Sequence, residues 1–248
     1  MLYHTKNKMH IRFQFERAEE LKFIGHLDIL RLFERAFKRS GLPVTHSQGF
    51  NPRPQIVFAQ PMPLGLTSSG EFADVEINGD FYPVDFMRRL NSSLPPGLQL
   101  IDAKERINKS NLMAIIEAAR YKIAFSFEEQ HIPNINVLVE KVLSKDAMNV
   151  IKKTKSGEKE INIRPLIYEL SGSIYNNTGE FKVLLGAGQN NNVRPELFLD
   201  GVSSVAETNL KLRNMHRIML YCRSTGENSL KALVNGEKAS WVSPMDEA

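Results

Sequence analysis

Between Met9 and Phe37 the hydrophobic residues change spacing, from every second position to every third or fourth. Folds that lay a helix on a sheet use both periods. Met9–Phe15 (MHIRFQF) alternates, with Ile11, Phe13 and Phe15 on one side, as a half-buried strand requires. In Asp28–Arg39 the residues Ile29, Leu32, Phe33, Ala36 and Phe37 recur at helical spacing and form a core stripe. Arg31, Arg35 and Lys38 fall on the opposite face, toward solvent or a ligand. Asp28 sits in the first turn and Lys38 and Arg39 in the last, as the helix dipole favours. Gly41 suits the left-handed position after the last turn, and Pro43 prevents continuation.

The same reading carries along the chain. Strands are expected at Gln55–Ala59 and Glu71–Ile77, with a turn at Pro61–Gly65. Pro83–Leu90 reads as a helix burying Phe86, Met87 and Leu90, and Leu98–Ala103 closes the unit as a strand. In the second half Asn111–Arg120 reads as a connecting helix and Tyr121–Phe127 as a strand. Ile135–Leu143 reads as a helix with Val139, Val142 and Leu143 inward. Asn149–Thr154 and Lys159–Ile163 flank Lys155-Ser156-Gly157-Glu158 as a hairpin. Leu166–Ile174 fits helix or strand. Glu180–Leu185, a helix over Arg194–Val202 and a strand at Arg217–Cys222 complete the pattern. The fold class expected is α+β: two tandem ferredoxin-like (βαββαβ) units with antiparallel sheets, residues 9–107 and 110–222, the second elaborated. Residues 223–248 are polar and rich in small residues, so a disordered tail is expected there.

Composition narrows the chemistry. The one cysteine, Cys222, leaves no intramolecular disulfide, thiolate-rich zinc site or cysteine-ligated iron–sulfur cluster. No apolar run approaches the ~20 residues of a membrane span. The N-terminal MLYHTKNKMH lacks the apolar core of a secretion signal, so a cytoplasmic protein that does not meet a membrane is expected. Asp28, Asp74, Glu76 and the scattered histidines show no metal-ligand spacing, and no phosphate-binding or dinucleotide fingerprint occurs. No metal or cofactor is therefore expected. Residues 22–53, 141–164 and 209–223 together hold 17 Lys/Arg against 5 Asp/Glu, which leaves −8 elsewhere in a chain of net charge +4. On one common face these segments would attract polyanions; apart, they are ordinary solvated surfaces.

Two histidines, His26 and His46, bracket the first helix. Either is a candidate general acid or base for RNA cleavage, with Lys22, Arg35 or Arg53 stabilising the phosphorane. The alternative has His26 helping to start the helix and His46 ending a strand. Ser47-Gln48-Gly49-Phe50-Asn51-Pro52-Arg53-Pro54 cannot be a central strand, because its prolines lack N–H donors. It offers a hydroxyl, two amides, a guanidinium and an aromatic ring able to stack on a base. It equally suits a structural loop with Phe50 buried. Lys152, Lys153, Lys155 and Lys159 lie along a phosphate backbone or simply keep a hairpin soluble. Lys211, Arg213 and Arg217 carry the same two readings, and Arg164 reads as an internal ion-pair residue.

The stretch KFIGHLDILRLFERAFKRSGLPVTHSQGFNPRPQIVFAQPMPLG (Lys22–Gly65), with SNLMAIIEAARYKI (Ser110–Ile123) and EINIRPLIYEL (Glu160–Leu170), resembles the bacterial radical-SAM-linked (radical-SAM-associated) domain family of unknown function. The resemblance covers most of residues 9–222. It implies a partner in a radical-SAM system, with the cluster on another polypeptide, since this chain has no CxxxCxxC. It transfers no catalytic residue. The fold plan alone is similar to that of the CRISPR RNA-processing endoribonucleases. The expected function is an accessory RNA-binding or substrate-presenting protein beside a radical-SAM enzyme acting on RNA or a ribosomal component. The alternatives are a metal-independent endoribonuclease using His26 or His46, and a protein–protein module docking the radical-SAM enzyme.

Overall fold

A computed structural model describes residues 8–108, 110–128, 134–154, 157–175, 178–189, 191–223 and 241–248. The fold is α+β and divides into two units, Met1–Ile116 with Met219–Ala248 and Glu117–Ile218.

In the first unit the elements run β1 (Lys8–Arg17), α1 (His26–Ser40), β2 (Ile56–Phe58), β3 (Leu66–Asn78), α2 (Pro83–Asn91) and β4 (Leu98–Glu105). The strand order is β4-β1-β3 with β2 on β3, and each pairing is antiparallel. Ile11, Phe13 and Phe15 point to one side and meet Ile29, Phe33, Ala36 and Phe37 of α1 and Phe86 and Leu90 of α2. Phe15, Phe33 and Phe58 stack edge to face with ring centroids 5.0–5.8 Å apart. Gly41 ends α1 at φ 65°, a left-handed turn that costs glycine little.

Residues of β1 that alternation directs away from the helices are covered too. Arg12 is fully buried: Nε and Nη2 donate to Asp74 at 2.7 and 3.0 Å, and Nη1 to the carbonyls of Pro244 and Glu247 at 2.9 and 3.3 Å. Trp241–Ala248 is thus fastened to the first unit. Its β11 (Trp241–Val242) pairs with Cys222 and Arg223 of β10 (Leu210–Arg223), and Met245 is buried. This departs from the disordered tail expected for 223–248; residues 224–240 lie outside the described residues. Arg17 is fully buried as well, donating to the carbonyls of Leu21, Lys22, Ile24 and Pro63 at 2.6–3.3 Å. It pins the short segment that leads into α1.

The second unit runs β5 (Ile116–Phe127), α4 (Ile135–Ser144), the hairpin β6 (Asn149–Thr154) and β7 (Gly157–Asn162), β8 (Ile167–Tyr175), β9 (Thr178–Gly186), α5 (Pro195–Ala206) and β10, with strand order β10-β5-β9-β8. Phe125, Phe181 and Phe198 form its aromatic centre. The connecting helix expected over Asn111–Arg120 is one turn only, α3 (Leu112–Ile115), capped by the Asn111 side chain. From Ile116 the chain is extended, because Ala118 onward pairs with Gly186 and the rest of β9. Of Leu166–Ile174, Leu166 ends a 3-10 turn and Ile167 onward is strand β8. In α4, Leu138 and Val142 are buried, while Val139 and Leu143 are half-buried. Among the described residues no helix is long and apolar enough to cross a membrane.

Candidate functional site

The chain docks on the edge of β3 twice and leaves it between. Pro43–Thr45 joins first: Asn78 N donates to Pro43 O at 2.8 Å, Val44 bridges Ile77, and Thr45 N donates to Glu76 O at 2.8 Å. β2 then rejoins at Val75–Ala73. Residues 46–55 form an excursion with a bonded neck. Gln55 N donates to Thr45 O at 2.9 Å, His46 bridges Pro54, Ser47 N donates to Arg53 O at 2.8 Å, and Arg53 N donates to Ser47 Oγ at 3.1 Å. Pro52 and Pro54 lack the donors that would extend this ladder. Gly49 takes φ 128°, where side chains are strained, and turns the tip. Gln48, Gly49, Phe50, Asn51, Pro52 and Arg53 are all exposed, and Phe50 at 105% touches nothing that hides its ring. Phe50 is therefore not the buried ring that the structural-loop reading expects.

The neck stands beside α1. Arg53 Nη1 lies 4.0 Å from Glu34 Oε1, and Glu34 is three residues from Arg31 and four from Lys38, so the loop borders the outward face. Arg35 and Lys38 are exposed and make no hydrogen bond or ion pair among the described residues. Arg31 donates to Asp28 Oδ1 at 2.7 Å, and Lys22 pairs with Glu19 while sitting 5.1 Å from the Phe23 ring centroid. Exposed pairs of this kind contribute little, so both cations can exchange partners.

His26 and His46 occupy opposite ends of the β2 edge. The His26 ring packs edge to face on Phe58 at 5.4 Å, and its Nδ1 is buried without a partner among the described residues. Burial lowers its pKa; the Glu71 carboxylate opposes the shift and the Arg17 guanidinium reinforces it. His46 is exposed, with Nδ1 2.8 Å from Val44 O, and it bridges Pro54. From Pro54 to Phe58 the strand runs roughly 13 Å, so each histidine would act on a phosphate alone.

In the second unit Lys152 and Lys153 reach the N-terminus of α5, where with Arg194, Glu196 and Asp200 they line a pocket of about 320 Å³. Burial raises the Asp200 pKa. Lys153 is 4.0 Å from Glu158, Lys159 is exposed, and Lys155 lies outside the described residues. The third basic segment is less available than its charge suggests. Arg217 is buried and donates to Tyr121 OH at 3.4 Å, Arg213 donates to Ser126 Oγ at 2.8 Å, and Lys211 pairs with Glu128 at 3.6 Å. Arg164 donates to the carbonyls of Ile167 and Leu143, while Glu169 instead accepts from Arg120. Among the described residues no cluster of three potential metal ligands forms.

A family model described as "Uncharacterized protein conserved in bacteria (DUF2344)" matches residues 10–195. The chain belongs to this family. The match takes in α1, the 46–55 excursion and the β6–β7 hairpin. No curated protein matches the chain. Among solved structures it is similar to a chain of a Cbf5-Nop10-Gar1 complex, with 8% identity, a TM-score of 0.49, and coverage of 84% of this chain and 49% of that one. It is also similar to an unknown protein from Galdieria sulphuraria, with 14% identity, a TM-score of 0.25, and coverage of 84% and 99%. The chain spans about half the length of the first, and neither likeness supports a functional argument.

Arg194, Arg17 and Arg12 escaped the sequence reading. Arg194 stands next to Pro195 at a helix start, a signal that could have paired it with the hairpin lysines. The two buried arginines sit in β1 with no local signal of what covers them.

Proposed function

We propose that this protein binds single-stranded or looped RNA through the outward face of α1 and the 46–55 excursion, and presents it to a partner radical-SAM enzyme. The carrying observation is the fully exposed Phe50 on a hydrogen-bonded neck whose Arg53 lies 4.0 Å from Glu34, on the helix that carries Arg35 and Lys38, both without a partner among the described residues. An aromatic platform with cations that follow a backbone is how sequence-tolerant RNA surfaces work, bases stacking while phosphates pair. The partner rests on the family resemblance of Lys22–Gly65. The finer reading of the fold, two ferredoxin-like units, is supported by a shared order: with the separate β6–β7 hairpin left out of the count, each unit places its fourth strand, first, third and second side by side. The docking-module reading shares this surface and differs in that no RNA would co-purify.

Binding of labelled RNA by fluorescence anisotropy at several salt concentrations tests the proposal. Each single-strand phosphate contact contributes about −0.7 to the slope of log affinity on log salt. Arg35→Glu with Lys38→Glu should flatten the slope by about 1.4, two contacts at that value. Phe50→Ala should cost about 1–3 kcal/mol, the worth of a stacked base. Unchanged affinity and slope in the charge-reversed protein would refute the RNA surface. The endoribonuclease alternative requires cleavage in EDTA that His26→Ala or His46→Ala abolishes.

A further inference from the structure

At the root of the excursion, within the first unit, lies a second pocket of about 320 Å³, at the small end of the range for ligand sites. Val57, Val75 and Leu112 are its apolar lining, and His10, Gln55, Asp74, Glu76, Arg106 and Asn111 its polar lining. Glu76 is an acceptor held at one oxygen by Lys8 Nζ at 2.7 Å, with His10 Nε2 3.5 Å from the other. The Arg106 Nη1 is spent on Asp74 Oδ2 at 3.0 Å and Ser110 O at 3.3 Å, whereas its Nε is buried with no partner among the described residues. Asn111 Oδ1 accepts from Met113 N at 3.0 Å, which fixes the amide and leaves its Nδ2 donors unused among the described residues. Gln55 is exposed and adds a further amide.

Donors and acceptors thus stand beside apolar side chains with both signs of charge present. A free phosphate would meet Asp74 and Glu76, and a simple cation would meet Arg106. A planar heteroaromatic ring with mixed donors and acceptors on its edge meets neither objection. Gln55 lies in the neck that carries Phe50 at its tip, and five residues span at most about 18 Å, a few nucleotides of an extended strand.

We propose that this pocket takes one unpaired nucleobase, packed on Val57 and read by Gln55, Glu76, Arg106 and Asn111. The inference rests on the RNA-binding reading for its biological ligand but not for its chemistry. The test is saturation-transfer NMR of the full chain with each of the four ribonucleosides, which carry no phosphate. At least one should show transfer. Val57→Trp, at a half-exposed strand position, should abolish it, and Gln55→Ala, at an exposed one, should weaken binding about 2- to 10-fold, the effect of one neutral hydrogen bond. No transfer from any nucleoside, or transfer unmoved by both substitutions, overturns the pocket. Nucleoside transfer in a protein whose RNA affinity and salt slope are unmoved by Arg35→Glu/Lys38→Glu would uphold the pocket and sink the surface. RNA binding with no nucleoside transfer would do the reverse.

Discussion

Replacing Asp74 with alanine leaves two guanidiniums facing each other without their shared counter-ion. The carboxylate accepts three hydrogen bonds, from Arg12 Nε at 2.7 Å, Arg12 Nη2 at 3.0 Å and Arg106 Nη1 at 3.0 Å. The Arg12 side chain is fully buried and that of Arg106 is 16% exposed, so water can reach only the second. Removing one partner of a buried pair costs about 3–5 kcal/mol, because the remaining charge stays desolvated. The carbonyls of Pro244 and Glu247 still solvate Arg12 Nη1, which argues for the lower end, about 3 kcal/mol. For a chain of this length that is a fall in Tm of roughly 6–12 °C. Trp241 is the one tryptophan and lies in the segment Arg12 fastens, so urea titration should be followed by its emission alongside far-UV circular dichroism. Both probes should shift to lower urea. Arg12→Met/Asp74→Leu should recover part of the loss, since a pair replaced by apolar groups leaves one fewer stranded charge. A shift below about 1 kcal/mol in Asp74→Ala would mean that Arg12 is hydrated in solution, and the fastening of the C-terminal segment would fall with it.

His26 carries a pKa lowered by burial, so below its ordinary value of about 6.5 the unfolded chain takes the proton first. Stability should be full above that pH, decline as pH falls toward the native value, and level off beneath it. His26→Phe, which keeps a ring against Phe58, should remove this decline, and an unchanged acid limb down to pH 5 would refute it. Cys222 has its thiol pushed up to about 12, chiefly by burial, and its Sγ lies 3.6 Å from Val242 O. It should resist thiol reagents at pH 8, and a chain ending at residue 240 should react at least tenfold faster; equal rates would show that residues 241–248 do not shield it.

Local periodicity explains why β1, α1 and α2 were legible: each carries its core residues at the spacing its backbone imposes. Asn111–Arg120 misled because Leu112, Ile115, Ile116 and Ala119 also fit a helical stripe, yet the partner that straightens them, β9, lies over sixty residues away. Alternation likewise directed Arg12 outward, which is correct for its strand but silent on Pro244 and Glu247 reaching across to cover it. The outward Arg31, Arg35 and Lys38 followed from the helix alone. That Arg53 borders them, and that Phe50 stands clear, depends on where Pro43–Thr45 and Ile56–Phe58 dock on β3.

Those two docking points also separate binding from folding at the surface that matters. Arg17 grips the segment entering α1, Phe33 of α1 packs on Phe58 at 5.5 Å, and Phe58 pairs with Ala73 of β3. Thr45, at the other side of the neck, bonds Glu76 of the same strand. Helix face and loop neck are therefore held on one frame, and the tip residues Gln48–Pro52 contribute nothing to it. Phe50→Ala removes a ring that folding leaves in water, so its effect on stability should be within about 0.5 kcal/mol of zero. Any fall in RNA affinity then measures the missing stack of ring on base, because the fold beneath it is intact. A large drop in stability would mean that the ring packs somewhere in solution, and would return the loop to a structural role.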